Sequence, residues 1–165
     1  TSGKRSYHIH PFPSFSEKKI GRGLGLVDFG ALYKGYCSDV TAPFGIGKLT
    51  PEEENIKSAV MNAYKKSLDS LKPGIEAGEI YKKAEKCLHE KNFSLKHGLG
   101  HGLGLEVHDF PSISPGQKTG LRKNMVFTIE PGVYVRDIGG LRIENDILMK
   151  GRKIEVLTKS SFIKI

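Results

Sequence analysis

The chain is organised around residues 97–108, His-Gly-Leu-Gly-His-Gly-Leu-Gly-Leu-Glu-Val-His. Three histidines, His97, His101 and His108, share this stretch with four glycines. Imidazole is a common metal ligand that titrates near neutral pH, and glycine lets the backbone pass close to a ligand. We therefore predict a metal-dependent site on a glycine-rich loop. A surface loop with incidental histidines is the alternative, and only the flanking sequence decides between the two.

The length, charge and cysteine count of the chain are typical of one globular domain. A chain of 165 residues can bury one core, so we expect residues 1–165 to form one domain without a second. No apolar run approaches the roughly 18 residues of a membrane span, which predicts no membrane partner. The net charge of +8 comes from scattered lysines without a nucleic-acid-binding motif, so we expect no nucleic-acid partner. Two cysteines form no disulfide framework and favour a reduced, cytoplasmic protein.

Two helices follow the first predicted strands. Thr50-Pro-Glu-Glu53 is typical of a helix start, with Thr50 as the cap and Glu53 completing a capping box. Apolar residues at helical spacing continue from there to Pro73-Gly74, where the helix should end. A second helix is predicted over about 77–91. We expect both helices to be structural.

Four carboxylates fall in predicted strands. Asp28 lies in the strand 23–31 and Asp39 in its expected hairpin partner, residues 32–41. Glu130 ends the strand 125–130, and Glu144 lies in the strand region 141–149. Acids flanked by large apolar residues tend to be buried, and buried charges need partners or a metal.

Strand alternation predicts that the acids gather on one face. Arg142 and Glu144 should share a face while Leu141 and Ile143 take the other. Buried salt bridges or an exposed polar face are alternatives, but few strand cations besides Arg142 are available. Four carboxylates and one imidazole suit Mn²⁺, Co²⁺ or Fe²⁺ better than a structural zinc ion. A pair of such ions can activate water for hydrolysis.

The five candidate ligands occur in an order and in local contexts that resemble a known family, the pita-bread metallopeptidases. The motifs are Val-Asp28-Phe-Gly, Ser-Asp39-Val-Thr, Gly-His101-Gly-Leu-Gly, Ile-Glu130-Pro-Gly and Arg-Ile-Glu144-Asn-Asp. The family includes methionine aminopeptidase, Xaa-Pro aminopeptidase and Xaa-Pro dipeptidase. The resemblance implies an α+β pita-bread (creatinase/aminopeptidase-like) fold, a curved antiparallel sheet with helices on its convex side.

The resemblance also implies a metal centre with two divalent ions, Mn²⁺ or Co²⁺, with Zn²⁺ or Fe²⁺ as further possibilities. In that pattern Asp28 binds one ion and Asp39 bridges. His101 and Glu130 bind the same single ion, and Glu144 bridges. A hydroxide held between the ions attacks the scissile carbonyl group.

Four further residues match positions that handle substrate in the family. His108 matches a histidine that contacts the substrate carbonyl, and His97 one that positions substrate and shuttles protons, so both are predicted to be catalytic. His10 matches a histidine lining the pocket beyond the scissile bond, with His8 as its rival. Arg142, two residues before the last glutamate, resembles the proline-specific branch and is predicted to bind substrate.

That branch implies hydrolysis of Xaa-Pro bonds, in small peptides with proline at the second position or in dipeptides. Aminopeptidase and dipeptidase both remain open. The chain departs from the family pattern after Thr41, where Ala42-Pro43 replaces the usual arginine.

The matching first-half helices of the fold should precede residue 1, and the chain begins Thr1-Ser-Gly, without methionine. We therefore expect an N-terminally incomplete catalytic domain. An uncovered apolar sheet face would favour a homodimer or other self-association. The alternatives are a weak or inactive fragment, or a binding module for peptides or nucleic acid.

Overall fold

The chain has an α+β architecture over residues 1–10, 19–151 and 153–165, the part that this computed structural model describes. A short 3-10 helix, Gly3–Tyr7, precedes the first strand. The described residues form these strands and α-helices: β1 (Gly23–Phe29), β2 (Leu32–Tyr33), β3 (Tyr36–Cys37), β4 (Val40–Ile46), α1 (Pro51–Ser70), α2 (Ala77–His89), β5 (Gly100–Gly102), β6 (Asp109–Ile113), β7 (Val126–Ile129), β8 (Gly132–Val135), β9 (Gly139–Arg142), β10 (Asn145–Lys150), β11 (Lys153–Val156) and β12 (Ile163–Lys164).

The strands form two main sheets and two short hairpins. One sheet has the order β1-β4-β12 and the other the order β11-β10-β7-β5-β6. The pairs β2-β3 and β8-β9 form the hairpins. Pairing is antiparallel except between β12 and β4, which run parallel. An isolated bridge between Thr41 and Glu144 joins the first sheet to the chain that enters β10.

The first helix begins as its sequence predicts. The Thr50 hydroxyl accepts a hydrogen bond from the Glu53 N–H, and the Glu53 carboxylate accepts one from the Thr50 N–H. This reciprocal capping box satisfies two N–H groups that the helix cannot pair internally. The second helix, Ala77–His89, ends two residues earlier than predicted.

One core lies between the helix pair and the sheets. It takes Ile56 and Val60 from α1, and Ile80, Ala84 and Leu88 from α2, all of them buried. The strands and the chain between β9 and β10 contribute a second group of buried apolar side chains, Leu24, Phe127, Ile129, Leu141, Ile143 and Ile147. The helices therefore cover one side of the sheets. The polar residues between these apolar strand positions do not belong to this core.

The expected partner of the first strand was only partly right. Residues 32–39 do not pair with β1, because residues 32–37 fold on themselves as the β2-β3 hairpin, and of the predicted partner only Val40 and Thr41 lie opposite β1. Lys34 (φ 50°) and Gly35 (φ 83°) form its two-residue turn, and left-handed pairs of this kind give tight hairpins. The strand β4 takes the place beside β1, so that Asp28 lies opposite Thr41.

The four acids also sit slightly differently from the prediction. Only Asp28 lies within a strand. Asp39 directly precedes β4, Glu130 directly follows β7, and Glu144 lies between β9 and β10. Strand ends position these carboxylates where the two sheets meet.

Candidate metal centre

All five predicted metal ligands come together at the junction of the two sheets. Their ligand atoms form overlapping groups in which every atom lies within 4.8 Å of the others. One group contains His101, Glu130 and Glu144, and another contains Asp28, Asp39 and Glu144. Glu144 belongs to both groups, so they form one continuous cluster.

The position of His101 depends on the glycines beside it. The strand β5 runs between β6 and β7, and a Cβ on Gly100 would lie 2.0 Å from the Thr128 carbonyl oxygen. A Cβ on Gly102 would lie 2.1 Å from the Phe110 carbonyl oxygen. Only glycine allows the neighbouring backbones to approach this closely. The backbone of His101 is also held by its N–H, which donates a hydrogen bond to the Thr128 hydroxyl.

The hydrogen bonds of His101 determine which ring nitrogen is free. Its Nδ1 lies 3.1 Å from the Gly102 carbonyl oxygen, which only accepts, so Nδ1 carries the proton. Burial lowers the pKa of His101, which favours the neutral ring. The unprotonated Nε2 then faces two acceptors, at 3.8 Å from Asp39 Oδ2 and 3.5 Å from Glu130 Oε1. Three lone-pair donors facing one another are the arrangement expected around a cation.

Charge at the centre is strongly unbalanced. Burial, and then the charge of Glu144, raises the pKa of Glu130 to about 9. Burial, and then the charge of Asp39, raises the pKa of Glu144 to about 7. Burial and Asp28 raise the pKa of Asp39 as well. These carboxylates resist ionisation together because too little positive charge lies near them.

Arg142 supplies part of that positive charge from inside the protein. Its side chain is buried and forms an ion pair with Asp28. Its Nε donates to the Thr41 hydroxyl at 3.1 Å, and that hydroxyl donates to Glu144 Oε2 at 2.7 Å. Arg142 and Glu144 therefore both contact the Thr41 hydroxyl, although Glu144 lies beyond the end of β9. These bonds also orient two candidate ligands, Asp28 and Glu144.

The Arg142 guanidinium extends the network to His97. Its Nη1 donates to the Tyr134 hydroxyl at 2.9 Å, and that hydroxyl lies 3.0 Å from His97 Nε2. His97 Nδ1 lies 2.7 Å from the Gly98 carbonyl oxygen and therefore carries the ring proton. The Tyr134 hydroxyl consequently donates a hydrogen bond to Nε2 of His97. Burial lowers the pKa of His97 to about 4, so its ring is neutral at pH 7.

The remaining predicted residues surround this cluster. His108 is exposed, and its ring centroid lies 4.2 Å from that of His101. A His108 ring nitrogen also lies within 4.8 Å of ligand atoms of Asp39 and His101, so the structure permits either a substrate contact or a ligand role. His8 lines a cavity of about 400 Å³ together with Tyr134. His10 lies close enough to His97 to add to the burial that lowers the His97 pKa.

Divalent cations fit these residues. The donors are carboxylate oxygens and an imidazole nitrogen, the set that Mn²⁺, Co²⁺ and Fe²⁺ prefer. Within the described residues, the only Lys or Arg side chain that forms an ion pair with one of the candidate ligands is Arg142, which pairs with Asp28. A metal would provide the positive charge that Glu130 and Glu144 need in order to ionise.

Three residues of the network were not identified from the sequence. Thr41 could have been found, since it follows Asp39 by two residues and strand alternation places both on one face. Tyr134 and Asp146 gave no such signal. The Tyr134 hydroxyl contacts His97 and the Asp146 carboxylate contacts the Asp39 N–H, and both contacts join segments that are distant in the chain.

The chain is similar to known proteins in sequence and in fold. The model of metallopeptidase family M24 matches residues 1–151. The Xaa-Pro dipeptidase of Pyrococcus horikoshii is 43% identical over 162 residues, which are 96% of this chain and 46% of that protein. The prolidase from Pyrococcus furiosus superimposes with a TM-score of 0.91 at 39% identity, covering 97% of this chain and 48% of the other. The X-Pro aminopeptidase from Thermotoga maritima gives a TM-score of 0.89 at 36% identity, covering 99% and 47%.

These similarities confirm the predicted pita-bread fold, although the chain spans about half the length of the curated relatives it matches. Within the described ranges, no helix has the length and apolar character needed to span a membrane. A family model that matches residues 1–151 and relatives near 40% identity decide the classification. The chain belongs to metallopeptidase family M24.

Proposed function

We propose that this chain carries the active site of a metal-dependent peptidase that hydrolyses Xaa-Pro bonds. The observation that carries the proposal is the position of His101 Nε2, which lies 3.8 Å from Asp39 Oδ2 and 3.5 Å from Glu130 Oε1. The substrate class is supported by relatives named Xaa-Pro dipeptidase and X-Pro aminopeptidase. We expect the substrates to be dipeptides of this kind, or small peptides with proline at the second position.

We propose two divalent ions as the cofactor, held by Asp28, Asp39, His101, Glu130 and Glu144. Mn²⁺ or Co²⁺ is favoured because four of the five donors are carboxylates. When bound, such ions lower the pKa of water and polarise a carbonyl group.

The protein's own residues then position the substrate and handle protons. His108 is the exposed imidazole beside the cluster, and we propose that it contacts the substrate carbonyl oxygen. His97 is held neutral, and the Tyr134 hydroxyl links it to Arg142. We propose that this chain of hydrogen bonds keeps His97 oriented and able to exchange a proton with the substrate.

Arg142 and His10 remain proposed substrate-binding residues. Arg142 is 2% exposed and bonded to Asp28, Thr41 and Tyr134, so a direct contact requires that one of these bonds opens. An indirect role through Tyr134 is consistent with the bonds as they stand. His10, together with His8, borders the side of the site near His97 and Tyr134.

A binding module without catalysis is the less favoured alternative. Such modules are expected to lose metal ligands, whereas all five positions are filled here. Buried carboxylates with raised pKa values are also costly to keep without a functional reason.

The proposal is tested by loading the purified protein with Mn²⁺ and measuring hydrolysis of Xaa-Pro dipeptides and Xaa-Pro-Xaa tripeptides. We expect metal-dependent cleavage at the Xaa-Pro bond that disappears in His101→Ala. Xaa-Ala peptides serve as the matched substrate control and should be cleaved poorly. Full metal occupancy without cleavage of either Xaa-Pro class would contradict the proposed activity.

We also propose that the chain self-associates, because large apolar side chains are exposed near one end of the first sheet. At least half of the surface of each residue is accessible at Val27, Phe29, Leu32, Tyr33 and Tyr36. Monomers rarely expose large contiguous apolar patches. Light scattering should detect a dimer or larger species that Phe29→Lys weakens, whereas a monomer at micromolar concentration would contradict this.

A cytoplasmic location remains part of the proposal. Cys37 and Cys87 are both free thiols, which is consistent with a reducing compartment. Locating a tagged full-length protein by cell fractionation would test it.

A further inference from the structure

Asp146 is a buried carboxylate next to the candidate centre. It lies in β10 and is 3% exposed. Its Oδ2 accepts a hydrogen bond of 3.3 Å from the backbone N–H of Asp39. Its Oδ1 is also buried and has no hydrogen-bond partner among the described residues.

The peptide unit of Asp146 is fixed from a third segment. Its N–H donates to the Thr158 hydroxyl at 2.8 Å, and its carbonyl oxygen accepts from the Leu157 N–H at 2.8 Å. The backbone that carries Asp146 is therefore anchored independently of Asp39.

The contact with Asp39 connects the two sources of metal ligands. Asp39 precedes β4 of the three-stranded sheet, whereas His101 and Glu130 come from the five-stranded sheet that contains β10. Asp39 lies outside any strand, so no strand pairing fixes its N–H. Movement of this peptide would shift Asp39 relative to the ligands on the other sheet.

We propose that Asp146 is a positioning residue for Asp39. The inference rests on the proposed function, because it assumes that Asp39 binds a metal ion. A carboxylate that accepts from a backbone N–H makes a charge-assisted hydrogen bond, which is stronger than a neutral one. Partners that orient metal ligands typically change metal affinity by about 10- to 100-fold when they are removed.

A direct ligand role for Asp146 is less consistent with the structure. Among the described residues, the groups whose ligand atoms lie within 4.8 Å of one another include Asp39 and Glu144 but not Asp146. Its bonded oxygen is directed to an N–H donor. Positioning through the backbone of Asp39 is the role that these contacts support.

The test compares Asp146→Ala, which removes the acceptor, with Asp146→Asn, which retains an oxygen. We expect Asp146→Ala to weaken Mn²⁺ binding by about tenfold or more in calorimetric titration. Asp146→Asn should recover affinity to within about threefold of wild type. In metal-free protein, hydrogen exchange of the Asp39 amide should be faster in Asp146→Ala than in wild type.

Ser67→Ala is the matched control. It also removes a buried side-chain oxygen, one that donates to the Ala63 carbonyl group within α1, far from the centre in sequence. It should lower stability and leave Mn²⁺ affinity unchanged. If Asp146→Ala does not fold, Thr158→Val loosens the same support and should weaken binding about two- to fivefold.

Wild-type Mn²⁺ affinity in a folded Asp146→Ala variant would overturn the positioning role. Equal losses in the alanine and asparagine variants would also overturn it, because the oxygen acceptor would then be irrelevant. A wild-type protein that binds no Mn²⁺ would instead overturn the proposed metal centre itself. The two failures are therefore distinguishable.

Discussion

The hydroxyl group of Thr41 donates a hydrogen bond of 2.7 Å to Oε2 of Glu144 and accepts one of 3.1 Å from Nε of Arg142. Backbone pairing supports this contact, since the Glu144 N–H donates to the Thr41 carbonyl oxygen at 3.1 Å. A single buried side chain thus orients a candidate bridging ligand and the arginine beside it.

Replacing Thr41 with valine keeps its shape and removes both side-chain bonds. A buried donor left unpaired costs about 1–3 kcal/mol, so we expect a loss of this size in the free energy of unfolding of the metal-free protein. We also expect weaker Mn²⁺ binding, because Glu144 loses its orienting partner. Urea unfolding and calorimetric titration measure the two effects, and unchanged Mn²⁺ affinity would show that Thr41 only stabilises the fold.

The histidines should separate metal binding from turnover. His101→Ala removes the nitrogen that faces Asp39 and Glu130, so we expect at least tenfold weaker Mn²⁺ binding. His108→Ala should retain the metal and lower kcat. Metal analysis beside peptide hydrolysis decides this, and loss of Mn²⁺ in His108→Ala would mean that His108 is a ligand.

Tyr134→Phe tests the link between Arg142 and His97. The variant keeps the ring but removes the hydroxyl that donates to His97 Nε2 and accepts from Arg142 Nη1. We expect kcat to fall about tenfold or more, which is less than the roughly 100-fold or greater loss expected when the proton-transfer group itself is removed. Mn²⁺ affinity should stay within about twofold. Equal kcat in the two proteins would exclude a role for this hydroxyl in turnover.

The stability of metal-free protein should fall as pH rises from 7 to 9. Folding raises the pKa of Glu130 to about 9, so over this range the folded state retains a proton that the unfolded state has released. The unfolding free energy therefore decreases with pH, by at most about 1.4 kcal/mol per unit for one proton. His97 makes stability rise with pH, but only between about pH 4 and pH 6.5. Its pKa is about 4 in the folded protein and 6.5 for a free histidine side chain.

Urea unfolding across that range, with chelator present, measures the slope. Glu130→Gln should remove most of it, and saturating Mn²⁺ should remove it in wild type because the ion replaces the proton. A flat or rising stability between pH 7 and 9 in metal-free wild type would contradict the protonated state of Glu130.

Local features of the sequence predicted local structure well. The Thr50–Glu53 capping box and the second helix depend on residues that are close together in the chain, and both were confirmed. The partner of β1 was placed too early in the chain, because residues 32–37 form their own hairpin around Lys34 and Gly35 and pairing with β1 starts only at Val40.

The site depended on different information. Residue types and strand alternation indicated buried acids, which was wrong for Asp28, an exposed residue, and fully right only for Glu144. Only the family motifs assigned five ligands to one centre. The bonds from Tyr134 to His97 and from Asp146 to Asp39 join residues 37 and 107 positions apart. No local pattern specifies such contacts, because they arise when the sheets pack against each other.

The most direct test of the metal centre is a crystal structure of the protein grown with Mn²⁺, with anomalous scattering used to locate the ions. We predict two peaks bounded by Asp28, Asp39, His101, Glu130 and Glu144, with the Asp39 and Glu144 carboxylates between them. Peaks located elsewhere, or no peak among these five residues at saturating Mn²⁺, would contradict the account.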